Sequence, residues 1–280
     1  MTNVLNCIET SINSEKNILS SFLIEPLEIG QGITLGNSLR RTLLSDITGF
    51  AITGVRINNL KHEFSLIEGI REDVLEILLN LKDIIFQPTF LLNDEIKNDE
   101  TISSIKDSPL KFKTFLNVKG PLIVTAGMLF LPKKTFKILN PEQYICTLVD
   151  DSNLYLEMDI ENGIGYQLIE EIRKKNPADR ISVLEPTTLL VDSVFMPIKR
   201  VNFKVKLIHD SFGNIKESLL LEILTNGSIT PKRSLHEAIK ILINLFYPLL
   251  LTPELIKISE KFSKLNESIW NLTLSDKIIH

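Results

Sequence analysis

"IEPLEIGQGITLGNSLRRTLL" (residues 24–44) is the stretch on which the reading of this chain turns. Three glycines, Gly30, Gly32 and Gly36, follow an apolar, strand-like run and lead into a helix with two adjacent arginines, Arg40 and Arg41. This is the outline of a phosphate cradle, in which glycines let backbone N–H groups and a helix N-terminus approach an anion. The dinucleotide fingerprint, however, needs GxGxxG and an acidic residue about 20 positions later. Here the spacing is GxGxxxG, no Lys-Ser/Thr follows as in a P-loop, and the sequence around position 50 is apolar. A flexible turn before a helix is the plainer reading. A nucleotide-binding enzyme using Gly30, Gly32 and Gly36 stays open as the alternative.

The helix is more informative than the turn. Thr34 is a candidate N-cap, the helix runs to about Ile47, and Gly49 ends it. At about 100° per residue, Leu35, Leu39, Leu43, Leu44 and Ile47 share one half of the cylinder. Asn37, Ser38, Arg41, Thr42 and Ser45 occupy the other half, and Arg40 lies beside the apolar stripe. A guanidinium on a small-polar face suits a planar, multidentate contact with another chain. Spacing alone leaves a solvated surface arginine as an equal alternative.

Working outward, "NILSSFLIEPLEI" (17–29) reads as a strand interrupted by Pro26, and "FAITGVRINN" (50–59) as a second strand. "HEFSLIEGI" (62–70) is a loop or short strand. "REDVLEILLNLKDII" (71–85) is an amphipathic helix with Val74, Leu78, Leu81 and Ile85 on one stripe. Residues 93–108 are polar and read as a surface loop. "LKFKTFLNVKG" (110–120) is a strand, and 142–163 reads as a hairpin turning at Asp151-Ser152-Asn153. Residues 170–180 are charged and irregular. Two antiparallel strands flank "SFGN" (211–214), and Thr230-Pro231 opens a long helix, proline being tolerated in a first turn. On that last helix Leu235, Ala238, Ile239, Ile241, Leu242, Ile243, Leu245, Phe246 and Leu249 span an arc of roughly 200°, about twice what one core requires. Deep burial or a subunit interface would use the excess. Pro248 and Pro253 are expected to kink or end it. The fold class is α+β, with strands in the middle and helices near both ends.

Composition narrows the function classes. The chain has 280 residues and a net charge of −4, which opposes a phosphate-gripping surface all round. A DNA-binding regulator would need a local basic face and is the second alternative. Cys7 and Cys146 are far apart, without the spacing of a zinc site or disulfide framework. No apolar run reaches the roughly 18–20 residues of a membrane span, and the N-terminus has neither signal-peptide nor transit-peptide character. His62, His209, His236 and His280 are scattered, Asp150-Asp151 sits in a turn, and no tight aspartate cluster could hold a pair of metal ions. No catalytic residue, cofactor, metal or membrane contact is therefore expected. Only 4 Ala and 8 Arg stand beside 23 Lys, a bias of AT-rich coding such as that of a plastid or a small bacterium.

Over residues 27–84, "LEIGQGITLGNSLRRTLLSDITGFAITGVRINNLKHEFSLIEGIREDVLEILLNLKDI" closely resembles the N-terminal region of the α subunit of bacterial and plastid DNA-directed RNA polymerase. The resemblance resumes in "NPEQYICTLVDD" (140–151), "NGIGYQ" (162–167), "LLVDSVFMPIKRVNFKV" (189–205) and "LEILTNGSITPKRSLHEAI" (221–239). It implies a homodimeric scaffold that joins the β and β′ subunits, meets DNA only through the assembled enzyme and has no catalytic site of its own. A discontinuous dimerisation domain (1–49 and 186–250) would carry an inserted, mainly-β docking domain (50–185), with 251–280 a tail of unassigned role. The resemblance places Leu35, Leu39, Leu43, Leu235, Ile239, Leu242 and Phe246 at the dimer interface. It places Arg41, Leu44, Glu68 and Gly69 against β, and Lys82 against a large subunit. Departures are Ile164 in "GIGY", where the family has arginine, Lys206 in place of an acidic residue, and Glu237 standing later in its helix. Similarity fades after about residue 240, so the DNA-contacting C-terminal domain of many relatives is not expected. Given this family, the poverty in Ala and Arg and the lack of transit-peptide character point to a plastid, with a bacterial cytoplasm as the alternative.

Overall fold

A computed structural model describes residues 4–13, 16–58, 60, 62–89, 110–131, 135–169, 188–209 and 213–250. The expectations for 93–108, 170–180, Pro253 and 251–280 fall outside those residues. Two antiparallel sheets organise the rest. The first has the order β1-β2-β14-β13, from β1 (Val4–Ile12), β2 (Ile18–Leu27), β14 (Ile215–Thr225) and β13 (Ile198–His209). Alternation along β14 turns Leu219, Leu221 and Ile223 to one face, beside Phe22, Ile24 and Val201. Two helices, α1 (Gln31–Ser45) and α3 (Pro231–Leu250), cover that face and complete a core with Leu39, Leu43, Leu235 and Ala238. Described segments near the start and toward the end of the sequence therefore build one core.

The second sheet has the order β11-β3-β9-β5, from β3 (Thr48–Ile57), β5 (Lys111–Lys119), β9 (Asn153–Ile164) and β11 (Leu189–Leu190). Leu154, Leu156, Met158 and Ile160 alternate inward along β9 and meet Val74, Ile77 and Leu81 of α2 (Val74–Lys82). Short ribbons complete this half: β4 (Phe86–Pro88) with β7 (Phe136–Ile138), and β6 (Leu122–Thr125) with β8 (Tyr144–Leu148). A third ribbon pairs β10 (Tyr166–Gln167) with β12 (Ser193–Val194). Leu189 and Val191 still belong to this second core, whereas Ile198 belongs to the first. Hydrogen bonds from Lys16 Nζ to Leu139 O (2.7 Å) and from Gln87 Nε2 to Gly227 O (3.1 Å) tie the halves together.

The α+β class stands, and several local expectations are corrected. No hairpin spans 142–163, because β8 pairs with β6 while β9 pairs with β3 and β5. The turn after β8 thus carries the chain between two sheets. The strand β1 has no forecast in the sequence, since its side chains from Leu5 to Thr10 are all exposed and show no buried face. Pro26 does not break β2; the β2–β14 register shifts beside it, where a residue lacking an N–H is tolerated. Thr34 is no N-cap: Gly30 holds that position at φ 89°, and the Thr34 hydroxyl donates back to its carbonyl at 3.1 Å. Thr42, placed on the polar half, is buried. Pro248 lies inside α3 and does not end it.

Helix α2 is shorter than 71–85 because its flanks are held otherwise. The buried Glu72 carboxylate accepts from the Tyr144 hydroxyl, from Thr147 N–H (2.7 Å) and from Arg71 Nε (2.9 Å), latching the helix entry to β8. Burial pushes its pKa up, but these donors outweigh it and leave the carboxyl below its ordinary value. At the far end, Ile85 N–H donates to Asn140 Oδ1 at 2.9 Å.

Gly49 does not end α1 but lies within β3, where a Cβ would stand 2.0 Å from Phe195 O. Gly49→Ala is therefore expected to cost about 1–3 kcal/mol, as overpacking against backbone does. An unchanged urea midpoint would contradict that contact. On the outer face of the second sheet, Glu157 bridges Arg56 (2.8 Å) and Lys113 (2.9 Å). The Arg56 hydrogen bond first, and Lys113 next, bring its carboxyl down from 4.5 to about 2. A carboxyl depressed on folding stabilises the fold above its unfolded value and loses that contribution as pH falls from 4.5 through about 2. Glu157→Gln should flatten the stability profile in that window, measured by denaturant midpoints. A profile identical to that of the unsubstituted chain would contradict the assignment.

Candidate subunit interface

The place that an anion would take in a phosphate cradle at the start of α1 is filled by the chain itself. Gly30 N–H donates to Glu217 Oε1 at 2.9 Å and Gly32 N–H to Glu217 Oε2 at 2.8 Å. Glu217 reaches this position from β14, directly opposite Leu27, and is 6% exposed. The carboxylate answers the first unpaired donors of the helix and the positive end of its dipole. The other glycines allow close approach. A Cβ at Gly32 would lie 2.8 Å from Glu217 Oε2 and 2.9 Å from Val205 Cγ1, and one at Gly36 would lie 2.6 Å from the Phe203 ring. So α1 rests directly against β13 and β14, and the Gly30 and Gly32 N–H groups are already taken by Glu217. The nucleotide-binding alternative is corrected accordingly: its cradle is occupied by Glu217.

Close packing on one side leaves α1 two other faces. One faces α3 across an open apolar groove of about 770 Å³. Leu35, Ile239 and Leu242 line it half-buried, and Ile29, Ile243 and Phe246 line it exposed. The second half of α3 is left open by the described residues: Ile243, Leu245, Phe246, Tyr247 and Leu249 are each more than half exposed. Leu39, Leu43 and Leu235, by contrast, are spent inside the first core at 1% exposure. Ile29, Ile33 and Tyr247 are exposed apolar residues outside the set that the sequence singles out. Ile29 precedes the helix and Ile33 lies off its leucine stripe, so periodicity carried no signal for them.

The third face of α1 presents Arg40 and Arg41, both exposed, while Leu44 is half-buried against the first core. Glu68, Gly69 and Lys82 lie in the other half of the molecule. Gly69 adopts φ 81°, and its carbonyl accepts from Val149 N–H (2.9 Å) and Ser152 Oγ (3.3 Å). That pins the end of a loop whose Phe64 and Leu66 tips are 80% and 82% exposed, with Glu68 exposed beside them. Lys82 Nζ stands 5.0 Å above the Tyr166 ring, and the Tyr166 hydroxyl donates to Asp192 Oδ2 at 3.3 Å. Ile164, the residue departing from the family pattern, is exposed two residues before that tyrosine. Lys206 is exposed on β13, and Glu237 pairs with Arg233 one turn earlier in α3. The named residues thus fall into three regions: the groove, the arginine face, and the surface of the second half.

Among the described residues, no group of three His, Cys, Asp or Glu could hold a metal ion. No described helix is long and apolar enough to cross a membrane. Of the cysteines, Cys7 is exposed, while burial and the Glu72 charge push the Cys146 thiol up to about 12.

Comparison with known proteins bears on these surfaces. Residues 55–196 match the family model described as the RNA polymerase Rpb3/RpoA insert domain. The DNA-directed RNA polymerase subunit alpha of Guillardia theta is 44% identical over 245 residues, covering 88% of this chain and 69% of the relative. The subunit of Mesostigma viride is 45% identical over 243 residues, covering 87% and 68%. That of Cyanidium caldarium is 41% identical over 245 residues, covering 88% and 70%. With Glu217 in the cradle, calorimetric titration with ATP or NAD should show no saturable binding. Saturable binding abolished by Gly32→Val would restore the nucleotide reading.

Proposed function

This chain belongs to the family of DNA-directed RNA polymerase α subunits, and we propose that its own part in the enzyme is assembly as a homodimer that joins β and β′. The observation that carries the reading is the apolar surface of α1 and α3 that the described residues leave uncovered. Five side chains of the last two turns of α3 stand more than half exposed beside a groove of about 770 Å³. Burying each such side chain is worth about 1.5–3 kcal/mol, enough in sum to hold a stable pair. A second copy presents the same helix to the same groove, which a two-fold contact requires. Leu35, Ile239, Leu242 and Phe246 then make the interface with Ile29, Ile243 and Tyr247, while Leu39, Leu43 and Leu235 support it from within.

The two cores support a division of labour. The core made from both chain ends, 1–49 and 186–250, dimerises; the insert, 50–185, docks, and its core extends to Leu189 and Val191. Arg41 and Leu44 on α1, with Glu68 and Gly69 on the insert, meet β, and Lys82 meets a large subunit. The exposed Phe64 and Leu66 beside Glu68 give that docking loop apolar anchors. DNA is reached only through the assembled enzyme. A plastid origin is supported by the poverty in Ala and Arg and by similarity to subunits from algae; a bacterial cytoplasm is the alternative.

The test is assembly. The purified chain should sediment as a dimer, and Phe246→Asp should shift it to monomer. Arg41→Ala should keep the dimer and weaken capture of β by tenfold or more, since a hydrogen bond made by a charged group is worth about 1.5–3 kcal/mol. A monomer that captures neither large subunit would overturn the proposal.

A further inference from the structure

We infer that Glu217 is a positioning residue for the dimer groove: its carboxylate fixes the first turns of α1, and through them the wall that a second copy must fit. The inference rests on the assembly reading above but uses a residue that lies on neither docking surface. Glu217 is 6% exposed and gives each carboxylate oxygen to a different N–H of the helix start, at 2.9 and 2.8 Å. Position 32 has no room for a side chain there, since a Cβ would stand 2.8 Å from Oε2. The neighbouring Lys216 ammonium pairs with Glu28 just before the turn, and the Gln31 side chain accepts from Glu28 N–H at 3.0 Å. Several contacts therefore hold the entry to α1 against the end of β14.

The two ends of α1 are held by different means. Leu39, Thr42 and Leu43 are buried and lock the last turns into the first core. The first turns carry Gln31, Thr34 and Leu35, which line the groove, and Ile33, which is 56% exposed. None of these four is a fully buried apolar anchor. What keeps them down is the Glu217 clamp and the close fit of Gly32 and Gly36 on Val205 and Phe203. Freed at its N-terminus, the helix would lift or fray from Gly30 to about Leu35 while Arg41, beside the locked turns, stays in place. Glu217 should therefore govern dimer affinity and leave the arginine face untouched. A residue that served only overall stability would affect both alike.

The experiment compares the unsubstituted chain with Glu217→Ala, Glu217→Gln and Gly32→Ala. Two readouts are used: dimer dissociation by sedimentation, and hydrogen exchange at Gly30, Gly32, Leu39 and Leu43. Glu217→Ala should weaken the dimer by tenfold or more and speed exchange at Gly30 and Gly32 comparably, with Leu39 and Leu43 unchanged. β capture, measured at protein concentrations that restore the dimer, should match that of the unsubstituted chain. Glu217→Gln, which keeps one acceptor and turns an amide donor toward the second N–H, should fall between. Gly32→Ala should reproduce the behaviour of Glu217→Ala, and the double variant should be no worse than the more severe single one. Should Glu217→Ala fail to fold, the Gln variant carries the same comparison. Unchanged exchange at Gly30 and Gly32, or an equal acceleration at Leu39 and Leu43, would overturn the inference. If the unsubstituted chain is itself a monomer, the assembly reading fails while the exchange pattern still decides the role of Glu217.

Discussion

Two hydrogen bonds from Gly30 and Gly32 to the Glu217 carboxylate set the geometry from which the rest of the molecule follows. A helix start leaves donors unpaired, and a site that offers them to solvent attracts phosphate or another anion. Here the strand end beneath the helix supplies the anion. The same sequence feature that allows a ligand site elsewhere becomes an internal joint. Because Gly32 and Gly36 lack a Cβ on that side, α1 sits close on β13 and β14, and its inner face is exhausted by contact with its own sheet.

With that face committed, what α1 offers outward is limited to two surfaces. The apolar edge toward α3 suits self-association, and the small-polar edge carrying Arg41 suits a charged or polar partner. On the proposed assembly, carrying both surfaces on one 15-residue helix would fix the geometry between a second copy and a large subunit. The second core lies between β3 and β11 in sequence, and so leaves and rejoins the first at neighbouring strands. On the proposed assembly, such an arrangement would let the insert carry docking loops without disturbing the sheet of the dimerising half. Its own loop entry is secured by the Glu72 latch on Tyr144 and Thr147, which holds the segment ahead of α2 to β8.

The parts of this architecture written in local periodicity were legible from the sequence. The β13–β14 hairpin, the entry of α3 at Pro231 and the excess apolar arc of α3 all show in the residue pattern. What escaped depends on distant partners. Glu217 reads as an ordinary charged strand residue, because nothing near it in sequence reveals the two N–H groups it meets. The resemblance puts Leu39, Leu43 and Leu235 at the dimer interface, and only the sheet beneath them shows that they are buried within the chain's own core. β8 and β9 looked like a hairpin because the turn between them is short; the pairing choice was made by β6, β3 and β5. The strand β1, largely exposed along its length, carried no pattern to read.

The central claim is that the surface of α3 beyond its own core is completed by a second copy of the same helix system. Site-directed cross-linking tests it most directly, with Phe246→Cys in a Cys7→Ser background and Leu207→Cys, exposed on the first sheet, as the control. Under mild oxidation the Phe246→Cys chain should form a covalent dimer at about twice 31.8 kDa, and the Leu207→Cys chain should not. A covalent dimer through position 207 and none through 246 would place the contact elsewhere and contradict the account.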